Sequence, residues 1–169
     1  MNCKMSDLKR VLEAARYSDV KTVLASGNVV FATRAVSDTA LAARVEAAIE
    51  AGLARSFPVI VRAIDALAEM LDDDPYKAFR VAAGAKRVVT FLKDAPKAKL
   101  PLPIEVDGAR ILCLRGNEVF TAYVPHPKGP VFMTLIERTF GTNVTTRTWD
   151  TVKKVVAAGG GASRERAGT

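Results

Sequence analysis

Arg147-Thr148-Trp149-Asp150-Thr151 is the stretch of this chain whose residue types best suit ligand chemistry. A helix that starts there presents free backbone N–H groups to a phosphate or carboxylate, and Arg147 adds a two-pronged clamp. The plainer reading makes Thr148 an ordinary cap and Trp149 a core anchor. Ser26-Gly27-Asn28 is a second polar turn that could offer N–H groups and an amide to an anion. Equally, Gly and Asn there supply the positive φ that a hairpin demands. The third candidate is the segment from Tyr76 to Lys99, with Lys77, Arg80, Lys86, Arg87, Lys93, Lys97 and Lys99 against Asp94 alone. Such a run can track a nucleic-acid backbone or another polyanion, or it can be a solvated connection rimmed by lysines.

Other chemistries find less support. Cys3, Cys113 and His126 are the whole Cys/His inventory, and a Cys/His metal cage needs about four ligands at short spacings. Pro125-His126-Pro127 is a loop with no nucleophile motif beside it. Cys113, within Ile111-Leu112-Cys113-Leu114, reads as a small core hydrophobe. Asp72-Asp73-Asp74 places contiguous carboxylates on a helix end, where they point apart, so a solvated terminus fits better than a Mg²⁺ site. Gly159-Gly160-Gly161 has neither the strand before it nor the Gly-Lys-Ser/Thr after it that a phosphate loop requires. No metal and no cofactor is expected. Arg115-Gly116-Asn117-Glu118-Val119-Phe120-Thr121-Ala122-Tyr123 superficially resembles the RNA-binding motif of ferredoxin-like sheets. Period-2 alternation, however, sets Tyr123 with Val119 and Thr121 and turns Phe120 to the other face.

The chain that carries these groups has 169 residues, with 25 Lys+Arg against 18 Asp+Glu and a net charge of +7. That is one ordinary domain or two small ones. At 49% apolar and 25% charged it has globular composition. No apolar run approaches the ~18 to 20 residues that span a bilayer, and Met1 to Arg10 shows no secretory h-region. A cytoplasmic protein with no membrane partner is expected, and two scattered cysteines suit a reducing compartment.

Helical spacing predicts helices over Met5 to Arg16 with Ser6 as cap, Ser37 to Arg55, Ala63 to Leu71, Pro130 to Phe140 and Thr148 to Ala158. β-rich runs predict a hairpin of Val20 to Ala25 and Val29 to Thr33, then a strand at Phe57 to Arg62. A further strand follows at Arg87 to Lys93, and then a second hairpin of Arg110 to Leu114 and Glu118 to Val124. The order reads as two βαββαβ units in tandem, an α+β fold of ferredoxin-like halves. Residues 1–75 form the first half with a linker helix, 76–158 the second half plus a C-terminal helix, and 159–169 a disordered tail.

The first half lacks its opening strand, which is central in a ferredoxin-like sheet. Either the chain is truncated upstream or an exchanged or added strand fills the slot. The bare edges left behind invite pairing with another chain, hence a homo-oligomer through the exposed strand edge.

With the elements placed, the sequence resembles the DUF1697 family, a widespread group of bacterial proteins of unknown function. The carrying residues are Lys4 to Leu12, Val20-Lys21-Thr22-Val23, Ser26-Gly27-Asn28-Val29-Val30-Phe31, Pro58-Val59-Ile60-Val61-Arg62 and Asp74-Pro75-Tyr76. Toward the end come Leu135-Ile136-Glu137-Arg138, Gly141 and Thr146-Arg147-Thr148-Trp149-Asp150-Thr151-Val152. The resemblance covers Lys4 to Val156. The departures are an absent apolar opening strand with its Gly-rich loop, Pro127-Lys128-Gly129-Pro130-Val131 in place of a Gly-x-Ser-Lys-Leu stretch, and Thr148 where Asn is usual. The resemblance implies a tandem ferredoxin-like fold and gives no reaction. The leading expectation is a non-enzymatic binding module for an anionic partner, nucleic acid being the polyanion considered. The alternatives are an enzyme or ligand-binding protein for a small phosphorylated or carboxylated metabolite at Arg147, and a structural or self-associating protein.

Overall fold

The computed structural model describes residues 3–96, 99–127 and 129–164. The chain is α+β with two sheets and divides into two compact units, Met1–Glu69 with Thr151–Thr169, and Met70–Asp150. The C-terminal helix from Thr151 on therefore groups with the first unit.

In the first unit, helix α1 (Met5–Ala14) buries Leu8, Val11 and Leu12, the i, i+3, i+4 stripe of an amphipathic helix. Lys4 occupies its N-cap without a side-chain bond, and the expected cap Ser6 lies inside the helix. Strands β1 (Ser18–Val23) and β2 (Asn28–Ala32) pair antiparallel, Val23 opposite Asn28 and Lys21 opposite Val30. The turn between them uses positive φ at Leu24 and Gly27. Helix α2 (Asp38–Leu53) packs Leu41, Val45 and Ile49 onto Leu8, Val11, Leu12 and Val20. Its N-cap Ser37 accepts a hydrogen bond at 3.3 Å from the Ala40 N–H, satisfying one of the orphan donors of the first turn. Ser37→Ala is expected to cost about 1 kcal/mol, read from the denaturant midpoint of the purified chain.

Two expectations for this unit are corrected. Phe57 to Arg62 forms no strand. Phe57, Val59 and Val61 do pack on the core cluster, but the Val59 N–H donates to Glu46 Oε1 at 2.7 Å rather than to a neighbouring strand. β propensity needs a ladder to act on, and none is offered there. Helix α5 (Trp149–Arg164) runs past the expected stop at Ala158 and through the glycines read as a tail. Gly159 is buried, and a Cβ on it would stand 2.6 Å from Ile64 Cδ1, at the start of helix α3 (Ile64–Asp73). The glycine allows close helix approach instead of ending the helix. Residues 165–169 of the expected tail lie outside the described residues.

The second unit holds β3 (Lys86–Leu92), β4 (Ile104–Val106), β5 (Ala109–Arg115), β6 (Glu118–Tyr123), helix α4 (Val131–Phe140) and β7 (Val144–Thr148). They form one antiparallel sheet in the order β4-β5-β6-β3-β7. Without the short edge strand β4, that is the ferredoxin-like order 4-1-3-2. β7 is the closing strand that sequence reading missed. Its residues Val-Thr-Thr-Arg-Thr are short and polar, and none is fully buried. Phe132 and Ile136 of α4 cover Val88, Leu92, Ile111 and Val119 on one face of the sheet.

Candidate functional site

Trp149 sits where β7 ends and α5 begins, and it is only 3% exposed. Its ring meets Tyr76 edge-on at 5.1 Å and Phe120 at 6.4 Å, and Tyr76 meets Phe120 at 5.7 Å. The Arg87 guanidinium lies over both Tyr76 and Trp149, 5.5 and 5.9 Å from the ring centroids. It also pairs with Asp74 at 3.6 Å. The Tyr76 hydroxyl donates to the Val88 carbonyl at 2.7 Å, with the Thr121 carbonyl a second acceptor at 3.3 Å. Burial pushes the Tyr76 phenol far above its ordinary range, so it holds its proton. This constellation ties the short 3-10 turn Pro75–Ala78 to the sheet; Trp149 is buried in it, and the half-buried Arg87 lies over its rings.

Arg147 stands opposite Val89 of β3 and is partly buried, which lowers its pKa by desolvation. One of its guanidinium nitrogens donates to the Thr146 carbonyl at 2.8 Å. Thr148 is exposed, and Thr151 belongs to the other unit. The polar turn Ser26 to Asn28 is also in the first unit. There the Asn28 amide donates to the Val23 carbonyl at 3.1 Å and to Ser26 Oγ at 2.9 Å, so it closes its own turn.

The basic segment is dispersed by the strand that carries it. Lys86 opens β3 and Lys93 follows its end, so the two lie about 20 Å apart at ~3.3 Å per residue. Lys97 lies outside the described residues. The acidic run, which could have held a metal, instead pairs with arginines: Asp73 with Arg115 at 2.6 Å and Asp74 with Arg87. Among the described residues no group of three His, Cys, Asp or Glu side chains could hold a metal ion. The two aromatics of the RNA-like stretch are engaged within the fold, Phe120 buried and Tyr123 half-buried. Phe120 is covered by Tyr76 and Trp149, while Tyr123 stacks on Phe132 at 4.6 Å.

One cluster went unrecognised in the sequence because its members are far apart there. Arg87 and Arg110 flank Ala122 across three strands, and the Arg110 guanidinium donates to the Arg80 carbonyl at 2.6 Å. Arg110 also pairs with Glu105 at 3.3 Å. Arg80, held through its carbonyl, and Lys86, opposite Tyr123 at the start of β3, lie at this end of the sheet, and Lys77 follows Tyr76 in the 3-10 turn; all three are exposed and make no ion pair among the described residues. A separate small cleft of about 180 Å³ at the start of α4 is lined by Asp107, Tyr123, His126, Pro130 and Phe132. It is below the ~300 Å³ at which small-molecule sites begin.

An α+β chain with a ferredoxin-like second unit and a cationic end to its sheet is the class defined by fold and geometry. The chain belongs to the family described as "Protein of unknown function (DUF1697)", whose model matches residues 1–110. Arg147 to Thr151 falls outside that match. The structure is similar to that of the conserved bacterial protein SP0830 from Streptococcus pneumoniae, with a TM-score of 0.65 and 17% identity over 93% of this chain and 89% of that one. At that identity the likeness concerns the fold. No curated protein matches the sequence. No helix among the described residues is long and apolar enough to cross a membrane.

Proposed function

We propose that this chain is a cytoplasmic, non-enzymatic binding module for an anionic partner, with single-stranded nucleic acid the polyanion to test first. The observation that carries the reading is the exposed trio Lys77, Arg80 and Lys86 of the second unit, with Arg80 and Lys86 at one end of its sheet and Lys77 in the turn tied to it by Tyr76. The neighbouring arginines already have acids, Arg87 with Asp74 and Arg110 with Glu105, so these three supply the charge available to a partner. The groups pushed furthest by burial support the non-enzymatic half. The Tyr76 phenol and the Cys113 thiol are both raised, away from the values useful to a base or nucleophile at neutral pH.

Anisotropy of a labelled single-stranded oligonucleotide, titrated with the protein at several salt concentrations, tests it. Three phosphate contacts predict a slope of log K against log salt of about −2. Replacing Lys77, Arg80 and Lys86 together by alanine is expected to remove most of that slope and to weaken binding evenly across sequences. Absence of binding at low salt removes nucleic acid as the partner.

A further inference from the structure

A row of residues crosses one end of the second unit's sheet. Lys86 of β3 stands opposite Tyr123 of β6, and Tyr123 opposite Ala109 of β5. Directly opposed residues share a face of the sheet, and Tyr123 and Ala109 belong to the cluster under α4. Lys86, of the exposed cationic trio, therefore stands on the α4 side. The small cleft at the start of α4 adjoins this row. Tyr123 and Phe132, stacked at 4.6 Å with their planes 6° apart, line it together with Asp107, Val124 and His126. Val124 is 46% exposed, and Val106, the neighbour of Asp107, is 42% exposed, so two large apolar side chains are left on the surface here.

Size and chemistry narrow the occupant. A volume of about 180 Å³ is too small for a whole small-molecule ligand and suits one flat ring system. Paired aromatic rings and an apolar rim favour a planar unsaturated ring over a sugar or a charged group. The Asp107 carboxylate repels a phosphate from the cleft itself, while the Lys86 ammonium attracts one to the position beside it. A flat ring joined to a phosphate is one nucleotide unit of a single strand.

We propose that this cleft receives one unstacked base of a bound single strand, with the adjoining phosphate on Lys86. Single strands are read in this way, by bases splayed onto aromatic side chains and hydrogen-bonded along their edges. Asp107 offers an acceptor to an exocyclic amine, such as that of cytosine, and His126 brings ring nitrogens to the same wall. The inference rests on the anion-binding reading and deepens it, since phosphate contacts alone do not distinguish a base-bearing strand from a bare polyanion.

The test compares an oligo(dC) strand with an abasic strand of the same length and charge, both titrated by anisotropy at one low salt concentration. The base-bearing strand is expected to bind roughly ten-fold or more tightly, at a similar salt slope. His126 is the sole histidine, so its ring protons give an unambiguous NMR signal. That signal should shift with oligo(dC) and stay in place with the abasic strand. Equal affinities for the two strands, or a preference for oligo(dC) that leaves the His126 signal unmoved, overturns the role of the cleft while the anion-binding reading stands. Failure of both strands to bind at low salt overturns that reading and this inference with it.

Discussion

Truncation of Trp149 to alanine is expected to destabilise the chain by about 3–5 kcal/mol and to lower the thermal midpoint by roughly 10 °C. The side chain is 3% exposed and joins two other rings, Tyr76 and Phe120, in edge-on contacts. Deleting it leaves a cavity bounded by aromatic faces that cannot collapse without moving Tyr76, whose hydroxyl is fixed to the Val88 carbonyl. The loss also removes a face from beneath the Arg87 guanidinium, a cation–π contact worth about 0.5–2 kcal/mol in its own right. Trp149→Phe retains a ring and should recover a large part of the loss. Because Trp149 is the sole tryptophan, unfolding is followed by circular dichroism or calorimetry, not by intrinsic fluorescence. The result separates the two roles open to this residue. A ligand-contacting tryptophan on the surface would change stability by less than about 0.5 kcal/mol when truncated; the same small change here would contradict the core assignment.

The elements legible in the sequence were those with a strong period. α1, the body of α2, α4 and the β5–β6 hairpin each declare themselves by apolar residues at their own spacing. The failures have local causes. Phe57 to Arg62 has the composition of a strand, yet composition cannot report whether a ladder partner exists. β7 has a ladder partner in β3 but a composition of threonines and an arginine, so its pairing is visible only in three dimensions. Glycine misled in the opposite direction. A glycine inside a helical pattern reads as a weak point, but a Cβ on Gly52 in the last turn of α2 would meet Val11 Cγ2 at 2.5 Å, so the glycine lets α1 approach. Gly159 acts in the same way toward Ile64.

The candidate site was legible as residue types and not as an arrangement. Seven basic residues between Tyr76 and Lys99 look like one patch in a string, but a strand laid through their middle carries Lys86 and Lys93 to opposite ends. Arg87 is spoken for by Asp74, a residue that sequence reading had assigned to a solvated helix end. Conversely, Arg110 lies 23 positions beyond Arg87 yet shares a row of the sheet with it, a proximity that only the register of β5 on β6 and β6 on β3 creates.

The same register exposes a polar group out of place, and replacing it should strengthen the protein. Thr121 is fully buried on the α4 face of the sheet, between Val88 of β3 and Ile111 of β5. Its Oγ1 has no hydrogen-bond partner among the described residues, whereas the other buried threonine, Thr90, meets the Thr146 hydroxyl at 3.1 Å. A buried hydroxyl without a partner carries its desolvation penalty of about 1–3 kcal/mol with no return. Thr121→Val keeps the β-branched shape, suits a strand, and places a methyl group against Val88 and Ile111, so it is expected to stabilise by about 1–2 kcal/mol. The backbone is untouched, and the Thr121 carbonyl still faces the Tyr76 hydroxyl. Thr90→Val is the matched control. It removes a satisfied hydroxyl and leaves Thr146 without that partner, so it should cost about 1 kcal/mol. Opposite signs for the two substitutions in denaturant midpoints, at unchanged m-value, would establish that hydrogen-bond satisfaction governs their effects. Loss of stability in Thr121→Val would mean that the hydroxyl has a partner, such as an ordered water, which the buried sheet face retains.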